Sequence, residues 1–164
     1  MFQQLLHEQT IKISLEAGNY ESAFVELTAL LPPWVVSGYQ KSQILELLLQ
    51  REVFDSTLAE NGLAMPHCFF GNLPYPVSAL GISKKGFQYS KSADSKLAHF
   101  IFLTVFPENR AGYPAVLNDV QKFFNDNFIC ERLKIADSAE EIFEILIRES
   151  QFLFPQQNNF RTAR

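Results

Sequence analysis

The chain is short of the residues that announce several common functions. Its two cysteines, Cys68 and Cys130, stand far apart with no CxxC spacing. That excludes a disulfide framework and a thiolate zinc site, and suits free thiols in the reducing cytoplasm, where the protein is expected to reside. Positive charge is also scarce. Lys and Arg number 14 against 18 Asp and Glu, for a net charge of −4, and no basic block interleaves with aromatics. A nucleic-acid groove needs both, so nucleic acid is not an expected partner. Long apolar runs are missing too. Ala98 to Phe106 is the best of them, about half of the ~20 residues that a membrane helix needs. The N-terminus, MFQQLLHEQTIKI, lacks the basic start and apolar stretch of an export signal. No direct membrane insertion is expected. The three histidines, His7, His67 and His99, have no spacing that makes them converge, so neither a metal nor another cofactor is expected.

What the chain does have is core material. Of 164 residues 47% are hydrophobic and 16 are phenylalanine, which suits one packed core of ordinary domain size. Residues 1–154 are expected to form a single domain, and the polar stretch 155–164, with paired Gln and Asn, a frayed tail. Ile11, Ile13 and Leu15 alternate with polar residues, the two-residue period of a half-buried strand. From Tyr20 to Leu31 the spacing of Ala23, Phe24, Leu27, Leu30 and Leu31 predicts a helix that Pro32 and Pro33 end. A second helix is predicted from Ser42 to Glu52. Val77 to Ile82 and Leu97 to Phe106 are β-branched and aromatic runs bounded by Gly, Pro or Ser, and read as central strands. Helical periodicity returns in Val116 to Phe124, Ile129 to Ile135 and Ile142 to Leu146, the last behind a Ser138–Glu141 capping box. Helices and strands thus alternate. The expected class is α/β, a mixed central sheet with helices on both faces.

The candidate site is the stretch Arg51 to His67. Pro66 fixes its own φ and biases Met65 to an extended conformation, so Ala64 to His67 should present the imidazole on a strand end or loop. A histidine near its ordinary pKa is partly neutral near pH 7. A neutral ring nitrogen can attack phosphorus and hold a phosphoryl group as a phosphoramidate. Arg51, near the end of the second helix, offers the planar fork that phosphoryl oxygens favour. Other residues read more plainly. Cys68 cannot form a dyad with His67, because neighbours on an extended segment face opposite ways. His99 reads as a core histidine with one hydrogen bond, Asp55 and Glu60 as solvated loop, and Trp34 as a packing anchor. Phe69, Phe70 and Tyr75 suit either core or a docking surface.

Arg51-Glu52, Ser56-Thr57 and Gly62-Leu63-Ala64-Met65-Pro66-His67 resemble the active-site stretch of phosphotransferase-system (PTS) IIA domains of the fructose and mannitol type, which include the nitrogen-regulatory branch. The sixteen-residue separation of Arg51 and His67 is similar to the family's. Ile129-Cys130-Glu131-Arg132-Leu133 and Ser138-Ala139-Glu140-Glu141-Ile142 resemble its closing helices, more closely those of the nitrogen-regulatory branch. The resemblance runs from about Ile11 to Leu146. It implies that His67 takes a phosphoryl group, on Nε2, from the phosphohistidine of HPr or its nitrogen-branch relative. The group would then pass to a IIB domain in sugar transport, or act as a regulatory signal. Arg51 would stabilise the phosphoryl oxygens, Glu52 would orient Arg51, and Ser56 and Thr57 would supply donors nearby. The family's second histidine is matched here by Tyr113, followed by Pro114, a phenol that can donate a hydrogen bond but not share a proton near neutral pH. The alternative is a non-catalytic regulatory module that keeps the fold and works by binding a partner protein.

Overall fold

The computed structural model describes residues 2–92 and 96–155. Two short 3₁₀ helices, Phe2–Leu5 and Glu8–Thr10, lead into β1 (Ile11–Lys12), α1 (Tyr20–Ala29) and α2 (Gly38–Phe54). Then come β2 (Leu63–Ala64), β3 (His67–Phe69), β4 (Val77–Gln88) and β5 (Leu97–Phe106), and finally α3 (Ala115–Phe124), α4 (Asn127–Ile135) and α5 (Ala139–Leu153). The polar tail lies, from 156 on, outside the described residues.

β5 organises the sheet because its residues are apolar on both faces. β4 pairs with it antiparallel on one side, β2 and β3 pair with it parallel on the other, and β1 joins the far edge of β4 in parallel. Phe100 and Phe102 point into one core with Leu80 and Ile82; Ile101, Leu103 and Val105 point into the other with Val77 and Ala79. This two-residue alternation gives the sheet two apolar faces, and each must be covered. α1 and α2 cover one with Phe24, Leu27, Ile44 and Leu48. α3, α4, α5 and Phe2 cover the other with Val120, Phe123, Leu133, Ile142 and Leu146. The mixed sheet with helices on both faces is the architecture expected from the sequence.

Boundaries differ where capping and register, rather than periodicity, decide them. α2 begins at Gly38, four residues before the predicted Ser42, because Ser37 and Gln40 form a reciprocal cap. The Ser37 hydroxyl accepts from Gln40 N at 3.3 Å, and the Gln40 side chain accepts from Ser37 N at 2.8 Å. At α5 the Ser138 hydroxyl accepts from Glu141 N at 3.1 Å as predicted, but the Glu141 carboxylate reaches Asp137 N at 2.9 Å. β1 has two residues where the alternation suggested five, since Ile13 packs without pairing. β4 runs on past Ile82 to Gln88 through a register shift. Trp34 is 66% exposed and meets the His7 ring at a centroid distance of 6.0 Å, so it is no packing anchor. His99 is half-buried, with Nδ1 3.0 Å from the Ser83 carbonyl.

One buried polar knot ties α2 to the β4–β5 hairpin. Glu52, 5% exposed, accepts from Thr57 N at 2.7 Å, from the Tyr89 hydroxyl at 2.8 Å and from the Thr57 hydroxyl at 3.0 Å. Burial, reinforced by the Glu52 charge, pushes the Tyr89 phenol pKa upward, so it stays a donor. A buried carboxylate is tolerable only with such donors. The knot holds the loop that leaves α2, and with it the position of Arg51. Tyr89→Phe removes one donor without changing the ring; it should cost about 1–3 kcal/mol, read as a lower denaturant midpoint with an unchanged slope.

Candidate functional site

β3 starts at His67 because the edge strand cannot run unbroken through Pro66. A proline has no N–H to donate, so β2 ends at Ala64 and β3 resumes at His67, while the Pro66 carbonyl still accepts from Thr104 N at 3.0 Å. In the resumed register His67 lies opposite Thr104, which lies opposite Ser78 on β4. The Thr104 and Ser78 hydroxyls are buried and bond to each other at 3.0 Å, so neither is left unpaired. Cys68 faces the opposite way, into the α1–α2 core, where burial pushes its thiol pKa up to about 12. It is a packing residue, held as the thiol.

His67 Nδ1 is 3.0 Å from the Met65 carbonyl. A carbonyl only accepts, so Nδ1 carries the hydrogen and the neutral ring keeps its lone pair on Nε2. Burial lowers the imidazole pKa below its ordinary 6.5. The Met65 hydrogen bond opposes this; the Arg51 charge adds to it and the Glu52 charge opposes it. The neutral form therefore dominates at pH 7.

Arg51 stands in the last turn of α2 and lines an open cleft of about 270 Å³ together with Leu47, His67, Cys68 and Phe69. One guanidinium nitrogen, Nη1, donates to the Asp55 carbonyl at 2.6 Å, which anchors the fork against the end of its own helix. The structure thus brings together Arg51 and His67. Glu52 belongs to the buried knot. Thr57 directs its hydroxyl and its N–H to Glu52, away from the cleft, and Ser56 is exposed with its hydroxyl accepting from Leu58 N at 3.3 Å. Tyr113 stacks at 5.7 Å from the imidazole, with planes inclined by 31°. Phe69 and Phe106 meet the same imidazole edge-on at 6.3 and 6.2 Å. Phe69 is thus part of the cleft, Phe70 packs against the α1–α2 core, and Tyr75 is 46% exposed.

Three contributors were not visible in the residue pattern. The Met65 carbonyl that sets the tautomer is backbone; Tyr89 reaches Glu52 from 37 positions away; and Arg110 lies over the Phe69 ring at 4.5 Å. Among the described residues no three His, Cys, Asp or Glu side chains are grouped to hold a metal ion, and no helix is long and apolar enough to cross a membrane.

The fold agrees with what comparison with known proteins finds. Among solved structures, the nitrogen regulatory protein IIA-Ntr from Neisseria meningitidis superposes with a TM-score of 0.71 at 27% identity, covering 88% of this chain and 97% of that one. The mannitol IIA from Escherichia coli shares the fold, with a TM-score of 0.66 at 18% identity over 86% and 98% of the two chains. A further structure, at 19% identity, is the complex of the E. coli mannitol IIA with phosphorylated mannitol IIB. Two curated relatives are the fructose-specific EIIABC component of Bacillus subtilis, 27% identical over 144 residues, and the nitrogen regulatory protein of Bradyrhizobium diazoefficiens, 26% identical over 148. Each match covers 87% of this chain, but this chain spans only 22% of the fructose component's length against 92% of the nitrogen regulatory protein's. The family model described as "Phosphoenolpyruvate-dependent sugar phosphotransferase system, EIIA 2" matches residues 4–149, and the chain belongs to that family.

Proposed function

We propose that residues 1–154 act in the cytoplasm as one phosphocarrier domain, in which Nε2 of His67 accepts a phosphoryl group from the phosphohistidine of HPr or a nitrogen-branch relative. The observation that carries this reading is the Nδ1–H to Met65 carbonyl bond, which leaves the lone pair on Nε2 of a histidine that lines the same cleft as Arg51. In the transfer, the lone pair attacks phosphorus and the P–N bond of the donor breaks, its electron pair returning to the donor imidazole. The Nδ1 hydrogen stays in its bond to Met65, so the phosphorylated ring carries a positive charge that this carbonyl stabilises. Arg51 balances the phosphoryl oxygens, as a guanidinium can with two parallel bonds. Glu52 acts at one remove, by holding the turn that follows Arg51. The group then passes to a IIB domain or serves as a regulatory state of the protein.

A second reading, a regulatory module that binds a partner protein without carrying phosphate, draws support from Tyr113. Its phenol lies 5.7 Å from the imidazole, tilted by 31°, where the resemblance expects a second imidazole.

Incubation with phosphoenolpyruvate, Enzyme I and either phosphocarrier, followed by intact-mass analysis, separates the two. The native chain should gain one acid-labile phosphoryl group that His67→Ala abolishes; no adduct with either donor would favour the binding module. Arg51→Gln should slow labelling by about 10²-fold, with the adduct still on His67. Because folding lowers the imidazole pKa, His67 stabilises the fold fully above pH 6.5 and this contribution is lost as pH falls through the lowered folded value. An NMR titration should accordingly place the His67 midpoint below 6.5 in the native chain. A midpoint above that value would contradict the burial argument.

A further inference from the structure

Arg51 supplies charge to one part of the cleft. Elsewhere the imidazole is bounded by aromatic rings: Phe69, Phe106 and Tyr113 pack on one another with centroids 5.0 to 5.8 Å apart. Rings exclude water but lend no positive charge to a phosphoryl dianion. One cation sits on this wall. The Arg110 guanidinium carbon is 4.5 Å above the centre of Phe69 and 5.7 Å from that of Tyr113. These are two of the three rings that touch His67.

The segment that carries Arg110 holds it there. Arg110 N donates to the Pro107 carbonyl at 2.9 Å, Tyr113 N donates to the Arg110 carbonyl at 3.0 Å, and Ala111 N donates to Asn109 Oδ1 at 3.0 Å. Among the described residues Arg110 is the only non-glycine with positive φ, at 63°. That conformation is unfavourable for a side chain with a Cβ and persists because the surrounding turn imposes it. The side chain is exposed and, among the described residues, forms no ion pair. Among the described residues its side-chain partners are the Phe69 and Tyr113 rings, and an exposed cation–π contact is weak beside a charge-assisted bond to phosphate.

We propose that Arg110 is a second guanidinium for the phosphoryl group on His67 Nε2, leaving the Phe69–Tyr113 shelf to bond its oxygens when the group is present. This rests on the carrier reading of His67. Arg110 then acts on the phosphorylated state and leaves the unphosphorylated imidazole, whose tautomer Met65 sets, unchanged. A nearby cation favours the dianion over the monoanion, so the second ionisation of the phosphoryl group falls.

The test loads the chain with phosphoramidate and uses no partner protein. Nε2 attacks phosphorus, the P–N bond breaks with its electron pair on the departing nitrogen, and ammonia leaves. Phosphorus NMR then follows the phosphohistidine against pH in the native chain, Arg110→Gln and Arg110→Lys. Arg110→Gln should raise the midpoint of the second ionisation by about half a unit, and Arg110→Lys, which keeps the charge, should restore most of the shift. A merely structural role would not follow charge in this way. If Arg110→Gln is labelled on His67 and titrates with the native chain, the inference is overturned while the carrier reading stands. The same holds if its only defect is slower transfer from a protein donor, which would make Arg110 a docking residue. If the native chain takes no label that His67→Ala removes, the carrier reading fails and this inference falls with it.

Discussion

The site depends on a proline that cannot give a hydrogen bond to the sheet. Pro66 interrupts the edge strand between Ala64 and His67; its carbonyl still bonds to Thr104 N, while the Met65 carbonyl, on the outer side of the strand, meets the His67 ring. A single acceptor at Nδ1 settles which ring nitrogen is protonated. The lone pair of the neutral ring is then on Nε2. Resumption of pairing at once, with His67 opposite Thr104 and Cys68 opposite Val105, fixes the backbone on which the imidazole stands. β5, buried along most of its length, serves as the rigid member against which the broken strand is registered.

The electrostatics follow from this placement. A half-buried imidazole is driven toward its neutral form by the loss of water, and an arginine nearby acts in the same direction. The same arginine would be unwelcome to a histidine that had to ionise. It is well matched to one that must stay neutral until negative charge arrives. Arg51 is tethered to the end of α2 by the Asp55 carbonyl, and the turn beyond it is held by Glu52, Thr57 and Tyr89. Three separate elements, α2, the edge strand and the hairpin, are therefore needed to set one cation against one imidazole.

The sequence made legible what short-range chemistry controls. Strand β5 follows from its apolar run, helices α3 to α5 from their periodicity, and the extended backbone that puts His67 at a strand end from Pro66. The start of α2 was hidden because Gly38 reads as a breaker, although Ser37 and Gln40 carried the capping signal. The short β1 was overextended because alternation reports burial and not pairing. At the site, the pairing of Arg51 with His67 in one cleft rested on a resemblance, since no periodicity joins residues sixteen positions apart. Tyr89 and Arg110 escaped notice for the same physical reason: the folded chain brings them in from distant segments, and neither stands in a pattern that marks it. Thr57 had been expected to offer donors to the cleft, whereas its hydroxyl and N–H go to Glu52.

The most direct measurement is nitrogen-15 NMR of the His67 ring before and after phosphorylation. Nδ1 should be protonated and Nε2 bare in the unmodified chain above pH 7, and phosphorus should couple to Nε2 in the phosphorylated one. A ring protonated at Nε2, or a phosphoryl group on Nδ1, would contradict this, since either would mean that the Met65 carbonyl does not govern the chemistry of His67.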